Sequence, residues 1–152
     1  MTKVESTTAE LKEFIFQLLK HYKIASVSYR FSGSGDSGEF TDIEVNMEEG
    51  VKEVDIDEIY DDIKKAIKFE MINISNGNVH TKEGWVPNFL TEDEKFSLGD
   101  LIERYCYRVL EDAQPGWEID YGSNGDVLLV TEENETSVQI NVLTSEHHVY
   151  RY

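Results

Sequence analysis

Apolar residues near the start of the chain recur with the spacing of one helical face. Leu11, Phe14, Ile15, Leu18, Leu19 and Tyr22 form the stripe, and Lys12, Glu13, Gln17 and Lys20 fall on the opposite side. Thr7 and Glu10, just ahead, have capping-box spacing and predict the helix start. The period then changes to two. Ala25, Val27, Tyr29 and Phe31 alternate with Ser26, Ser28, Arg30 and Ser32, and Ile43, Val45 and Met47 alternate with Asp42, Glu44 and Asn46. These runs predict an antiparallel hairpin around Gly33–Gly38, a segment too small and flexible to continue a ladder. Phe40 is out of phase with Ile43, which predicts a bulge near Thr41.

A second helical stripe, Ile56, Ile59, Ile63 and Ile67, follows the cap-spaced pair Asp55 and Glu58. Phe69–Ile74 reads as a continuation of that helix or as a strand. Asn76-Gly77 reads as a turn, and Val79–Thr91 as irregular chain or a weak hairpin. A third stripe, Leu98, Leu101, Ile102, Tyr105, Cys106, Val109 and Leu110, starts at the cap-spaced Ser97 and Asp100 and stops at Gln114-Pro115-Gly116. Three strands close the pattern. The first holds Trp117, Ile119 and Tyr121, and Gly122–Gly125 turns the chain. The apolar run Val127–Thr131 reads as a central strand, and Val138, Ile140 and Val142 alternate after a turn at Glu132–Glu135. A last short strand is expected over His147–Tyr152. This order predicts an α+β fold: an antiparallel sheet, made of the hairpin and the C-terminal meander, with about three helices on one face.

The 152 residues fit a single domain over 1–152. No apolar run is long enough to span a bilayer, and the first residues lack the charged-then-apolar pattern of a signal peptide. One cysteine, Cys106, excludes an intrachain disulfide and reads as a small buried apolar residue. A cytoplasmic setting is the expectation from these features.

Charge changes the picture most. The chain carries 31 acidic against 14 basic residues, a formal net of −17. A field of that sign repels phosphates and anionic membranes, and it attracts basic protein surfaces. Much of it gathers in Glu48, Glu49, Glu53, Asp55, Asp57, Glu58, Asp61 and Asp62, beside Ile56, Ile59 and Tyr60. Asp57, Glu58, Tyr60, Asp61 and Asp62 are the candidate partner contacts, and a solvated acidic surface is the plain alternative.

Other motifs carry less. The loop residues Gly33, Gly35, Asp36, Ser37 and Gly38 offer backbone N–H groups to a ligand, yet no Gly-Lys-Ser/Thr and no helix follows them. Asp120–Asp126 matches a calcium loop only in part, since position three is Gly122 and position twelve is Thr131; it reads as a hairpin turn. His21, His80, His147 and His148 form no metal-ligand spacing, and no nucleophile elbow is present. The expectation is no cofactor, no metal and no catalytic residue.

Two segments resemble an uncharacterised family of small acidic bacterial and phage proteins. They are Phe31-Ser32-Gly33-Ser34-Gly35-Asp36-Ser37-Gly38-Glu39 and Pro115-Gly116-Trp117-Glu118-Ile119 through Gly122 and Gly125. The resemblance does not extend over 48–90, which it implies to be an insertion within the domain. It implies no activity or site residue; it points to a phage or mobile-element setting. The resulting expectation is an acidic protein-binding module, in its sharper form an inhibitor of a basic host nucleic-acid-handling or defence protein. The rival is a small-ligand-binding or enzymatic domain whose pocket joins the Gly33–Gly38 loop to Trp117, Tyr121 or His148.

Overall fold

A computed structural model describes residues 4–34, 37–113, 123–142 and 147–151. The fold is α+β and antiparallel, as the alternation of the strands predicts. The chain divides into two compact units, one holding residues up to Ile15 and Asp55–Ile102, the other Phe16–Val54 and the chain from Glu103 onward.

The second unit is built on a five-stranded sheet. Its strands are β1 (Ile24–Ser34), β2 (Ser37–Met47), β5 (Ser123–Val130), β6 (Glu135–Val142) and β7 (His147–Arg151), in the order β2-β1-β5-β6-β7. The apolar run of β5 does lie in the middle strand: Val127 and Leu129 are fully buried, and Leu128 and Val130 on the other face are half-buried. Thr41 is the extra residue of a bulge, because Arg30 opposes Asp42 while Phe31 opposes Phe40. A second bulge, at Ala25, puts Ile24 rather than Ala25 on the core face with Val27, Tyr29 and Phe31.

Parts of two segments expected as turns are strand: Gly33, Ser34, Ser37 and Gly38 of the first, and Ser123–Gly125 of the second. The ladder of β1 and β2 continues through Ser32, Gly33 and Ser34, paired with Glu39, Gly38 and Ser37. Ser123, Asn124 and Gly125 pair with Gly33, Ser32 and Phe31. Each segment gains partners from the other, so sheet pairing overrides the low strand preference of Gly and Ser. Gly35, Asp36 and the segment from Gln114 to Gly122, with its expected Trp117–Tyr121 strand, lie outside the described residues.

Helices α1 (Thr8–His21) and α3 (Leu98–Ala113) begin where their caps predict. The Thr7 N–H donates to Glu10 Oε1 at 2.9 Å, and the Glu10 N–H to Thr7 Oγ1 at 3.1 Å. Ser97 and Asp100 exchange the same pair of bonds at 3.0 Å each. All seven apolar residues of the α3 stripe are buried. Burial and the nearby Glu103 charge push the Cys106 thiol well above its ordinary value, so it stays protonated.

In the second unit, α3 delivers Tyr105 to the sheet, where its hydroxyl lies 2.7 Å from Thr136 Oγ1 on β6, with both residues buried. Burial raises the Tyr105 hydroxyl to about 12, against the opposing pull of the Thr136 bond. Tyr105→Phe should therefore cost about 1–3 kcal/mol, because it leaves the Thr136 hydroxyl buried and unpaired. Adding Thr136→Val should recover most of that loss in urea unfolding. The wild type should also lose stability between pH 10 and about 12, where the unfolded tyrosine releases its proton and the native one keeps it. Tyr105→Phe should flatten that slope.

The first unit holds the one-turn 3-10 helix Ile56–Glu58, helix α2 (Asp61–Lys68) and the hairpin of β3 (Ser75–Thr81) with β4 (Gly84–Phe89). The expected long helix over Ile56–Ile67 is broken at Ile59 and Tyr60, because the Ile59 carbonyl turns to accept the Leu98 N–H at 2.8 Å. Phe69–Ile74 is neither helix nor strand. The N–H groups of Met71 and Ile72 both point back to the Ala66 carbonyl, and Glu70 takes a left-handed φ of 55°, so the helix is capped and stopped. Asn76-Gly77 is not the hairpin turn. It sits inside β3 at a register shift, with Gly77 at φ 82°, and Lys82-Glu83 makes the turn, tied by the Glu83 N–H to Thr81 Oγ1. Ile56, Ile63, Ala66, Ile67, Ile72, Ile74 and Leu90 are buried in this unit.

Candidate functional site

The run of carboxylates that is continuous in sequence is divided between the two units. Glu48, Glu49 and Glu53 belong to the sheet unit, while Asp55, Asp57, Glu58, Asp61 and Asp62 belong to the other. In that first unit Asp55 starts the 3-10 turn, its side chain accepting the Asp57 N–H at 2.9 Å. The turn directs Ile56 inward and leaves Asp57 and Glu58 exposed. Asp61 and Asp62 follow in the first turn of α2, where the helix dipole favours them.

The carboxylate of Asp57 has a structural position as well as a charge. Its Oδ1 occupies the space that a Cβ on the buried Gly99 would need, beside the start of α3. A Cβ there would force the Asp57 carboxylate, the end of a side chain, to swing aside. Asp100 on the next position adds a further negative charge. Burial first, then the charges of Asp55, Asp100 and Glu58, push the Asp57 carboxyl above its ordinary value. Three acidic groups of the exposed turn and Asp100 of α3 thus repel one another. Asp100 is the member that sequence reading missed as part of this cluster. It is distant along the chain, and its cap spacing with Ser97 accounted for it fully.

Tyr60 is half-buried, and Lys95 Nζ lies 4.6 Å from its ring centroid. One ring face is therefore already covered by a cation of this chain, which makes Tyr60 a support for the acidic turn more than an open anchor.

Of the glycine-loop candidates, Gly33, Ser37 and Gly38 are in the β1–β2 ladder, and Gly35 and Asp36 lie outside the described residues. Trp117 and Tyr121 also lie outside them, and His148 is in β7, opposite Ile140. A cleft of the sheet unit lies elsewhere. It has a volume of about 700 Å³ and is lined by Ile24, Ala25, Leu128 and Val130 with Lys20, Glu48 and Glu132. Thr131 borders it, with a buried hydroxyl that has no hydrogen-bond partner among the described residues. Also among the described residues, no group of three or more His, Cys, Asp or Glu is placed to hold a metal ion, and no helix is long and apolar enough to cross a membrane.

A family model described as a family of unknown function, DUF6878, matches residues 7–152. The chain belongs to that family. The match includes the segment 48–90 as well as the helix, hairpin and meander around it. No curated protein and no solved structure matches the chain. Membership of DUF6878 carries no activity with it, so the chemistry of the site alone supports a functional reading.

Proposed function

We propose that this protein is a binding module that engages a basic protein surface through the exposed acidic turn Asp55–Asp62. The observation that carries the reading is the crowding of Asp55, Asp57, Glu58 and Asp100, which raises the Asp57 carboxyl in a chain of net charge −17. Cationic side chains are the ligands such a cluster selects, and the surrounding field speeds their encounter. In its sharper form the module blocks a basic host protein that handles nucleic acid or serves defence, in a phage or mobile-element setting. The support for that setting is the likeness carried by the Phe31–Glu39 and Pro115–Ile119 segments.

A second reading, small-ligand binding, is favoured by the cleft of about 700 Å³, a size within the usual range for ligand pockets, and by the Thr131 hydroxyl beside it, which has no partner among the described residues. One pair of experiments separates the two. Affinity capture from the native cell should recover proteins with basic surfaces that are released as salt approaches about 1 M, where the Debye length is about 3 Å. A thermal-shift screen with nucleotides, amino acids and metal ions should leave the midpoint unchanged. A compound that raises it by several degrees, with no salt-sensitive protein captured, would establish the second reading instead.

A further inference from the structure

The outer strand β2 carries a pattern that the acidic turn does not use. It ends the sheet order on one side, so its outward main-chain groups have no strand neighbour among the described residues. From Asp42 to Asn46 it runs in regular register with β1, between the bulges at Thr41 and Ala25. The sequence Asp42-Ile43-Glu44-Val45-Asn46-Met47 alternates strictly. Asp42, Glu44 and Asn46 lie opposite Arg30, Ser28 and Ser26, and are exposed. Ile43, Val45 and Met47 lie opposite Tyr29, Val27 and Ile24, on the core face.

That core face is covered under β1 and open under β2. Tyr29 is 0% exposed, while Ile43 directly across from it is 47% exposed. Sheet edges are normally blunted by charged side chains, lysine above all, by proline or by a bulge. Between Asp42 and Met47 there is no lysine and no proline, the bulge of β2 lies just before at Thr41, and the only charges are Asp42 and Glu44, which repel acidic strands and admit basic ones. The ion pair from Arg30 Nη1 to Asp42 Oδ2, at 3.9 Å, is long and solvent-exposed, so it holds Asp42 weakly.

We propose that β2 takes an extended protein segment as an added strand, one whose residues alternate basic and apolar. Its main chain pairs with the open edge, as in other strand-addition complexes. Its basic side chains stand beside Asp42 and Glu44, and its apolar ones extend the core face beside Ile43, Val45 and Met47. A second copy of this chain is the wrong occupant, because pairing β2 with β2 crowds Asp42 and Glu44 against their counterparts. The inference rests on the basic partner proposed above and adds where and in what form a segment of it binds.

The test uses the full chain and two labelled synthetic peptides of identical composition, one alternating Lys and Val and one with Lys and Val in separate blocks. Fluorescence anisotropy at low salt should show the alternating peptide binding at least tenfold more tightly, with hydrogen exchange slowed over residues 42–47. Asp42→Lys/Glu44→Lys should remove that preference and leave the circular dichroism unchanged. Glu58→Lys/Asp61→Lys should leave peptide binding intact. Equal affinity for both peptides, protection outside 42–47, or a dimer of the chain broken by Asp42→Lys would overturn the added strand. Those results would leave the acidic-turn reading standing, since that reading is tested separately, by capture of the cellular partner with Glu58→Lys/Asp61→Lys.

Discussion

Replacing Gly125 with valine is expected to lower stability by about 3 kcal/mol, the upper end of the ordinary cost of overpacking a core. For a chain of this length that corresponds to a fall in melting temperature of roughly 6–12 °C. Gly125 lies in the middle strand β5, opposite Phe31 on β1 and Ile140 on β6. A Cβ at this position would collide with the carbonyl oxygen of Gln139 and approach the Phe31 ring at 3.1 Å. The carbonyl is main chain within a paired strand, so it cannot rotate away as a side-chain end can. Relief requires shifting β6 or opening the ladder. Gly50 supplies the control: it has φ 78° and nothing within 4 Å of an added Cβ. Gly50→Ala should cost only the left-handed backbone penalty, about 1–2 kcal/mol. Thermal or urea unfolding checks both. A Gly125→Val protein that melts within a degree or two of wild type would contradict the register of β5 and β6.

The parts of the fold visible in the sequence are those decided by neighbours along the chain. The capping boxes Thr7/Glu10 and Ser97/Asp100 need only three residues of spacing, and both form as read. The α3 stripe is buried residue for residue, and the phase slip between Phe40 and Ile43 correctly marks the Thr41 bulge. Errors arise where a distant segment competes. Gly33, Ser34, Ser37 and Gly38, and likewise Ser123–Gly125, look like turn residues alone, yet Ser123 pairs with Gly33 and these residues are strand. The Ile56–Ile67 stripe has helical spacing, but Leu98 takes the Ile59 carbonyl and breaks it. Asn76-Gly77 has strong turn chemistry, and its glycine serves a bulge instead. The candidate site divides in the same way. Its carboxylates from Asp55 to Asp62 are plain in the sequence, whereas the approach of Asp57 to Gly99 and Asp100 comes from tertiary folding alone.

Glu58→Lys/Asp61→Lys is expected to abolish capture of the cellular partner at physiological salt while leaving the fold intact. Both side chains are exposed, so the substitutions remove no packing. A lysine near the start of α2 opposes the helix dipole, at a cost of about 0.3–1 kcal/mol, too little to unfold the chain. Asp57 is kept, because its carboxylate fills the space against Gly99 and its loss would confuse binding with stability. The double reversal changes the net charge from −17 to −13, since each substitution replaces −1 with +1. The long-range field therefore survives, and what is lost is the local cluster with Asp55, Asp57 and Asp100. Opposing a partner's cations with new cations costs several kcal/mol at a close interface, well beyond the tenfold in affinity that 1.4 kcal/mol represents. The most direct measurement is quantitative affinity capture from the native cell with the wild type and this variant side by side, after matching their circular dichroism and melting curves. The proteins retained by the wild type should be absent from the variant capture. Retention of the same proteins in equal amounts by both would rule out the acidic turn as the contact surface.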